Sequence, residues 1–399
     1  MQHTKYLIAG GGMAAAAAVK GIRDVDVDGS ITVISAETDP PYKRPQLSKD
    51  LWHGKPLEKV WIKLDKFGAD LHLGRTLTWL NLQTRTAVDD RGDSWSFEKL
   101  LLATGVKPRH LPNGGEKAIH FRSLSDYRRL RELAEHSRQI GIVGGGFIGS
   151  ELAASLTMNE VPVTLIMKGQ GIGDRMFPAD LSAFLTDHYR SKGITLLTGE
   201  EYVAMEEQGE QILLKTRSVA DHTPRELVFD GVVAGIGAEP VVELAASAGI
   251  KTSNGIPVDE YLRTSCPDVF AAGDVVSIWQ PELGVWRRVE HENNANHMGR
   301  HAGRAMAGDM QPYQFLPFFY SDLFEFGYEA VGEIDARLDM ISDWKDPLRE
   351  GIIYYLRDGV VRGVLLWNVW NQVDNARALI SSQSLLTDDN RLHPEPAAV

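Results

Sequence analysis

Two glycine clusters carry the first chemical signal in this chain. Gly10-Gly11-Gly12-Met13-Ala14-Ala15 stands between the apolar run Tyr6 to Ala9 and an alanine-rich stretch that ends near Gly21. In a G-x-G-x-x-A of this kind Gly10 permits a tight turn, Gly12 lets the backbone approach a pyrophosphate, and Ala15 lets helix and strand pack closely. The helix that opens at Met13 and Ala14 adds N–H groups and partial positive charge. Ser30 to Ser35 reads as a second strand, and Glu37 follows where a carboxylate accepts from ribose hydroxyls. Strand, turn, helix, strand and acid in this order imply an adenine-dinucleotide site. The pattern recurs: Gln139 to Val143 leads into Gly144-Gly145-Gly146-Phe147-Ile148-Gly149-Ser150-Glu151, a full G-x-G-x-x-G, with the next strand at Val161 to Met167. Two fingerprints imply two cofactors and electron transfer between them. The second lacks the acid: Lys168 follows its strand and Arg175 lies beyond, so a 2′-phosphate could be accommodated, and NADH and NADPH both stay open.

Other residues fit around these two motifs. Asp39 to Lys49 is too proline-rich for a helix interior and reads as an ordered loop until Ser48 caps a short helix. Arg44 and Lys49 flank that cap, and a cofactor with two phosphates and an electron-rich ring needs fixed cations. Lys99 to Gly105 is a buried strand ending in Ala103-Thr104-Gly105, where backbone can come close to a ligand. Gly231 to Pro240 repeats that design, so whole domains are duplicated. Thr264 to Asp274 is a strand ending in Gly273-Asp274, where Asp274 can accept from a sugar or ribitol hydroxyl. His291-Glu292-Asn293-Asn294-Ala295 lacks the second histidine of a zinc H-E-x-x-H, so no metal is expected. No nucleophile elbow or phosphate-loop motif is present.

The elements that must position these residues are an α/β set. Leu71 to Leu102 alternates as an antiparallel meander with a turn at Asp90-Arg91-Gly92-Asp93. Arg122 to Arg138 has the spacing of an amphipathic helix, with Arg128, Arg129 and Arg131 on a solvated face or a landing patch for an acidic partner. Val203 to Val228 reads as a polar hairpin, and a helix starts near Glu292. From about Tyr313 the pattern changes to strands and a closing helix, Asn371 to Ile380, with Phe318, Phe319, Tyr320, Trp367 and Trp370 mostly in a core and one facing a cofactor ring. The tail after Thr387 is expected to fray.

Composition narrows the function classes. A chain of 399 residues exceeds what one core usually organises. Its formal net charge of −12 argues against nucleic acid and anionic membrane surfaces as partners. No apolar run reaches the roughly 20 residues that span a bilayer. The first strand begins almost at once, so we expect no leader; the single cysteine, Cys266, excludes an intrachain disulfide and fits a reducing, cytoplasmic setting.

On these residues the chain resembles the ferredoxin reductase and apoptosis-inducing factor group of flavoproteins, within the pyridine nucleotide–disulfide oxidoreductase superfamily. The likeness runs nearly full length, through Gly10 to Gly12, Pro41 to Lys49, Ala103-Thr104-Gly105, Gly144 to Ala153 and Asp268 to Asp274. Arg287 to His291, Gly327 to Gly332 and Trp367 to Asn371 look closer to apoptosis-inducing factor. The resemblance implies two Rossmann-like domains and a small C-terminal α+β domain: FAD-binding at 1–115 and 245–312, NAD(P)H-binding at 116–244, and an interface domain at 313–399. It implies FAD lined by Gly12, Ala14, Glu37, Arg44, Leu77, Arg109 and Asp274, with Lys49, His291 and Glu292 near the isoalloxazine. It implies a nicotinamide nucleotide held by Gly146, Phe147, Ile148, Glu151 and Gly237, with Glu290 and Trp367 near its ring. Lys49 and Glu151 would form a catalytic ion pair beside flavin N5, and the helix after His291 would aim its N-terminus at the flavin's N1/O2 edge.

Two departures shape the functional expectation. The early helix of the disulfide reductases carries C-x-x-x-x-C, whereas this chain has Lys43 to Lys49, and Cys266 lies in another strand. Thiol chemistry is therefore excluded, and electrons must leave the flavin directly. The basic surface of the mammalian apoptosis factor is also missing, which argues against a DNA-binding role. The expected activity is hydride transfer from NAD(P)H to FAD, then electrons to a [2Fe–2S] ferredoxin-type protein. A quinone or O2 reductase, or a redox sensor with a long-lived flavin–nicotinamide charge-transfer complex, is the alternative. A homodimer is compatible with either.

Overall fold

The computed structural model describes residues 1–136 and 138–393. These divide into two compact units: Met1–Pro45, Pro56–Lys107 and Glu239–Pro317 form one, and Gln46–Lys55, Pro108–Ala238 and Phe318–Val399 the other.

The first unit is built on a seven-stranded sheet. Ala69–Leu73, Ile31–Ser35, Gln2–Ala9 and Ser94–Leu102 run parallel in that order, and Val269–Ala271 also pairs parallel with Ser94–Leu102. Thr86–Asp89 and Leu77–Asn81 add an antiparallel flank. The strand expected from Lys99 begins earlier, at Ser94, and runs unbroken to Leu102. The whole of Ile31–Ser35 is buried, as a strand covered on both faces must be.

Helix Met13–Arg23 follows the glycine turn. Its alanine run favours the helix and keeps the surface thin. Helix Glu292–Met306 lies against it so closely that a Cβ at Gly299 would meet the Ala14 carbonyl, and one at Gly303 the Ala18 carbonyl. At the far end of the first helix Arg23 donates from Nε to the Phe67 carbonyl and from Nη1 to those of Asp26 and Gly29. The opening turn is thus held between a buried sheet and a second helix.

The second unit repeats the plan with a five-stranded parallel sheet in the order Thr195–Thr198, Val163–Met167, Ile140–Val143, Gly231–Ala234, Ile119–His120. Helix Phe147–Met158 follows the second glycine turn. The polar hairpin expected at Val203 to Val228 is three antiparallel strands, Glu200–Gln208, Gln211–Ser218 and Pro224–Phe229; the short break at Ala220 to Thr223 is a second turn. The amphipathic helix spans Leu124–Glu135, shorter than its periodicity suggested because Ser123 and Asp126 form a capping box at its start. Arg131 is not simply solvated: its guanidinium lies 5.3 Å from the Trp52 ring.

The C-terminal sheet of this unit has five antiparallel strands, Phe318–Leu323, Phe326–Gly332, Val360–Trp367, Glu350–Arg357 and Asp339–Asp346, covered by helix Val373–Ser381. Two of them, Phe318–Leu323 and Asp339–Asp346, break the apolar–polar alternation and escaped the sequence reading. The tail is tied down further than expected. Asp388–Asn390 is a 3-10 turn, and Leu392 is hydrogen-bonded through both its N–H and its carbonyl to the Tyr354 hydroxyl. The remainder of that expectation, residues 394–399, lies outside the described residues.

Candidate active site

At the first glycine turn Gly10 has φ +113°, a conformation that disfavours any side chain, and its N–H donates to the Ile34 carbonyl at 2.8 Å. A Cβ there would strike Ala103, and one at Gly11 would strike Ser35, yet nothing lies within 4 Å of the Cβ position at Gly12. An open cradle bounded by packed neighbours, at a helix start that no side chain caps, suits a pyrophosphate. Met13, Ala14 and Ala15 are buried behind it, and Leu77 is buried in the sheet flank.

Beyond the second strand Glu37, Tyr42 and Arg44 form a triad. The Tyr42 hydroxyl donates to Glu37 Oε2 at 2.5 Å, Arg44 Nη2 to Glu37 Oε1 at 2.6 Å and Arg44 Nη1 to the Tyr42 oxygen at 2.8 Å. Burial opposes the Arg44 charge, but Tyr42, Glu37 and Asp274 outweigh it and raise its pKa. A carboxylate has about four acceptor positions, so Glu37 keeps capacity for ribose hydroxyls. Ala103 and Thr104 close the neighbouring strand end: the Ala103 N–H donates to the Ala9 carbonyl at 2.8 Å, and Thr104 Oγ1 to the Val241 carbonyl at 2.7 Å. Gly105 accepts from Val241, and Gly273 packs on the Ala14 methyl.

His291 caps helix Glu292–Met306 through Nδ1, which accepts from the Asn293 N–H at 3.3 Å, so the helix start was correctly placed but is partly satisfied by its own cap. Glu290 pairs with Arg288 at 2.5 Å.

The second unit holds the other cradle. Gly144 repeats the strained turn at φ +109°, and its Cβ position abuts the Gly235 carbonyl. Gly149 lies against Gly144, whereas Gly146 has only the Gly235 oxygen, 3.9 Å away, and Gly237 has nothing within 4 Å. Phe147 and Ile148, in the first helical turn, are exposed apolar side chains. Arg109, expected to line FAD, belongs to this unit and gives its N–H to the Gly237 carbonyl at 2.9 Å. Lys168 is not a bare cation: Nζ lies 2.5 Å from Glu201 Oε2, and Arg217 holds the same carboxylate. Arg175 is exposed, and its carbonyl accepts from the Ala336 N–H.

Lys49 and Glu151 form the ion pair, at 3.1 Å, and both are buried. Taking such a pair out of water costs several kcal/mol per ion, so its remaining valences must be filled. Ser48 Oγ donates to Glu151 Oε2 at 2.7 Å and Ser321 Oγ to Oε1 at 2.6 Å. Lys49 Nζ also reaches Asp322 Oδ2 at 2.9 Å and stands 4.3 Å from the centre of the Tyr320 ring. The expected Ser48 cap is therefore corrected. The short helix Asp50–His53 has Lys49 in the cap position with no side-chain bond. A neutral cap contributes about 1 kcal/mol, a hydrogen bond to a buried carboxylate about 1.5–3, and the carboxylate wins. Burial and the nearby Glu151 charge drive the Tyr189 and Tyr328 hydroxyls well above the ordinary tyrosine range, so these neighbours stay neutral.

Trp367 is a second correction. It is 0% exposed, its Nε1 donates to the Leu348 carbonyl at 3.1 Å, and its ring stacks with Phe326 and Tyr328. No face remains for a nicotinamide; Trp370, at 47% exposed, is the accessible indole of that motif. Ser321, Asp322 and Glu201 were missed, although a Ser-Asp pair inside an aromatic strand is a visible anomaly.

The family model for pyridine nucleotide-disulphide oxidoreductases matches residues 4–299. The chain belongs to that family. A second model, the mitochondrion-associated C-terminal region of apoptosis-inducing factor, matches residues 343–382. The ferredoxin–NAD(+) reductase component of a 3-phenylpropionate/cinnamic acid dioxygenase from Photorhabdus laumondii is 32% identical, over 96% of this chain and 97% of its own. Apoptosis-inducing factor 1 of Dictyostelium discoideum is 30% identical, over 98% and 81%. Among solved structures, putidaredoxin reductase in its covalent complex with putidaredoxin superposes with a TM-score of 0.88 at 26% identity, covering 98% of this chain and 95% of that one. A ferredoxin reductase from Rhodopseudomonas palustris gives the same score at 25% identity, covering 97% and 96%. The chain is thus an FAD-dependent NAD(P)H oxidoreductase of the ferredoxin reductase type, and the two open cradles fit its two dinucleotides.

Proposed function

We propose that this enzyme carries electrons from NAD(P)H through FAD to a small [2Fe–2S] ferredoxin-type protein in the cytoplasm, and that it can dimerise. Bound FAD supplies the conversion of a two-electron donor into single-electron delivery. Residues 1–115 and 245–312 hold FAD, with Gly12 under the pyrophosphate, Glu37 and Arg44 at the ribose and phosphates, and Asp274 at the ribitol. Residues 116–244 hold the nicotinamide nucleotide over Gly146 and Gly237, and 313–399 form the interface domain. Lys49 and Glu151 order the reacting face without leaving a lone buried charge.

The observation that carries this reading is the Lys49–Glu151 pair itself, because its Lys49 stands in the early segment where a thiol relay would need cysteines. The names of the dioxygenase and putidaredoxin relatives support a ferredoxin as the acceptor. Reduction of cytochrome c by NADH and the purified holoenzyme should depend on added [2Fe–2S] ferredoxin. A rate indifferent to ferredoxin, with reduced protein surviving minutes in air, would overturn the reading in favour of the redox sensor that the C-terminal family match suggests.

A further inference from the structure

The second nucleotide half has no acid after its second strand, where the first half has Glu37. We propose that Glu201, from the adjoining strand, supplies the missing carboxylate and makes the enzyme select a nicotinamide dinucleotide without a 2′-phosphate. The proposal rests on the nicotinamide reading of this half.

The placement follows from the sheet. Val163–Met167 runs parallel to Thr195–Thr198 with Met167 opposite Thr198. The turns beyond both strands are stitched together: Gly199 donates its N–H to the Gly169 carbonyl at 3.0 Å, and Val219 donates to Gly199 at 2.7 Å. Strand Glu200–Gln208 then begins beside the turn that opens with Lys168. Glu201, whose side chain is 16% exposed, accepts from Lys168 at 2.5 Å and from its cross-strand neighbour Arg217. These two donors, Lys168 first, hold its carboxyl below the usual carboxylate range, so it is ionised at neutral pH. A second acid faces the same turn: Asp174 Oδ2 accepts from the Gln170 N–H at 2.8 Å and crowds Gly169. Arg175 is the further cation nearby in the chain, and it is exposed.

A ribose 2′-hydroxyl meeting this turn finds an acceptor. A 2′-phosphate meets two carboxylates and a lysine already neutralised by one of them. Lys168, the first of the two cations that invited NADPH on sequence grounds, is thus engaged by an acid that the sequence placed thirty-odd positions later, and Arg175 is the one left exposed.

The test compares kcat/KM for NADH and NADPH, together with the Kd of NAD+ and NADP+ from intrinsic tryptophan fluorescence. The wild-type enzyme should favour NADH at least tenfold. Glu201→Gln, which releases Lys168 and Arg217 and removes one repulsive charge, should narrow the ratio about tenfold and tighten NADP+ binding. Lys168→Ala leaves Glu201 in place and should keep the preference for NADH, which decides the matter even if Glu201→Gln fails to fold. An unchanged ratio in Glu201→Gln, equal use of both nucleotides by the wild type, or loss of preference in Lys168→Ala would overturn the proposal. If neither nucleotide reduces the flavin, the functional reading fails, while the two binding constants still judge Glu201.

Discussion

Lys49 is surrounded by three different supports: the buried Glu151, the half-exposed Asp322 and the Tyr320 ring. Their burial sets how much each matters. Removing the ammonium leaves Glu151 as a buried anion with only two hydroxyls, so Lys49→Ala should cost about 3 kcal/mol of stability and slow flavin reduction at least tenfold in stopped-flow mixing. An unchanged reduction rate would remove Lys49 from the mechanism. Asp322 is 52% exposed on its side chain, and exposed pairs contribute at most about 1 kcal/mol, so Asp322→Asn should melt within a few degrees of the wild type. Only geometry separates these two acids. Glu151 was expected from the family resemblance carried by the second glycine motif, whereas Asp322 stands in a strand far along the chain, and nothing in the local sequence says that it returns to Lys49.

The close approach of helices Met13–Arg23 and Glu292–Met306 is what holds the first cradle in shape. Three glycines allow it, since Cβ atoms at Gly21, Gly299 and Gly303 would each strike backbone of the opposite helix. Backbone cannot give way as a flexible side chain can. Gly303→Val should therefore destabilise the first unit by about 1–3 kcal/mol and reduce retained FAD, read as the ratio of flavin to protein absorbance after gel filtration. Full flavin retention with an unaltered melt would show that the crossing is looser than described. Both helices were legible in the sequence, the first from its glycine turn and alanine run and the second from its start near Glu292. Their contact was not, because nothing local marks Gly299 and Gly303 as a crossing point until the partner helix is placed on them.

Charge acts across the whole molecule through its acid limb. Asp26 accepts from Lys5 Nζ and the Tyr6 hydroxyl, each at 2.7 Å, and from the Gly29 N–H at 2.8 Å, and these bonds hold its carboxyl far below the usual range. A carboxyl depressed in the fold stabilises it above the unfolded value of about 4, and that contribution drains away as pH falls below it. Urea midpoints between pH 7 and pH 3 should thus fall less steeply in Asp26→Asn than in the wild type; parallel curves would refute the assignment. Tyr6 is moved in the opposite sense, pushed up to about 12 chiefly by burial and then by Asp26. A group raised in the fold stabilises it below the unfolded value of about 10, so that contribution should be lost as pH climbs from about 10 towards 12.

By itself the sequence determined the two nucleotide frames, their order and the absence of a thiol pair, while the central ion pair was expected only through the family resemblance. The features it determined are local: a glycine turn needs specific residues at fixed offsets, and a chain with one cysteine cannot form an internal disulfide. Tertiary structure alone decided which acids complete the sites. Asp322 reaches Lys49, and Glu201 reaches Lys168, across strands whose pairing no local pattern specifies. It also decided that Trp367 is core and that Ser48 serves a carboxylate in preference to a helix end. Burial set the place of Trp367, and the cost of an unsatisfied buried carboxylate set that of Ser48, whereas the more exposed Asp322 and Lys168 met their partners because distant segments were brought together; all of this exists only once the chain has folded.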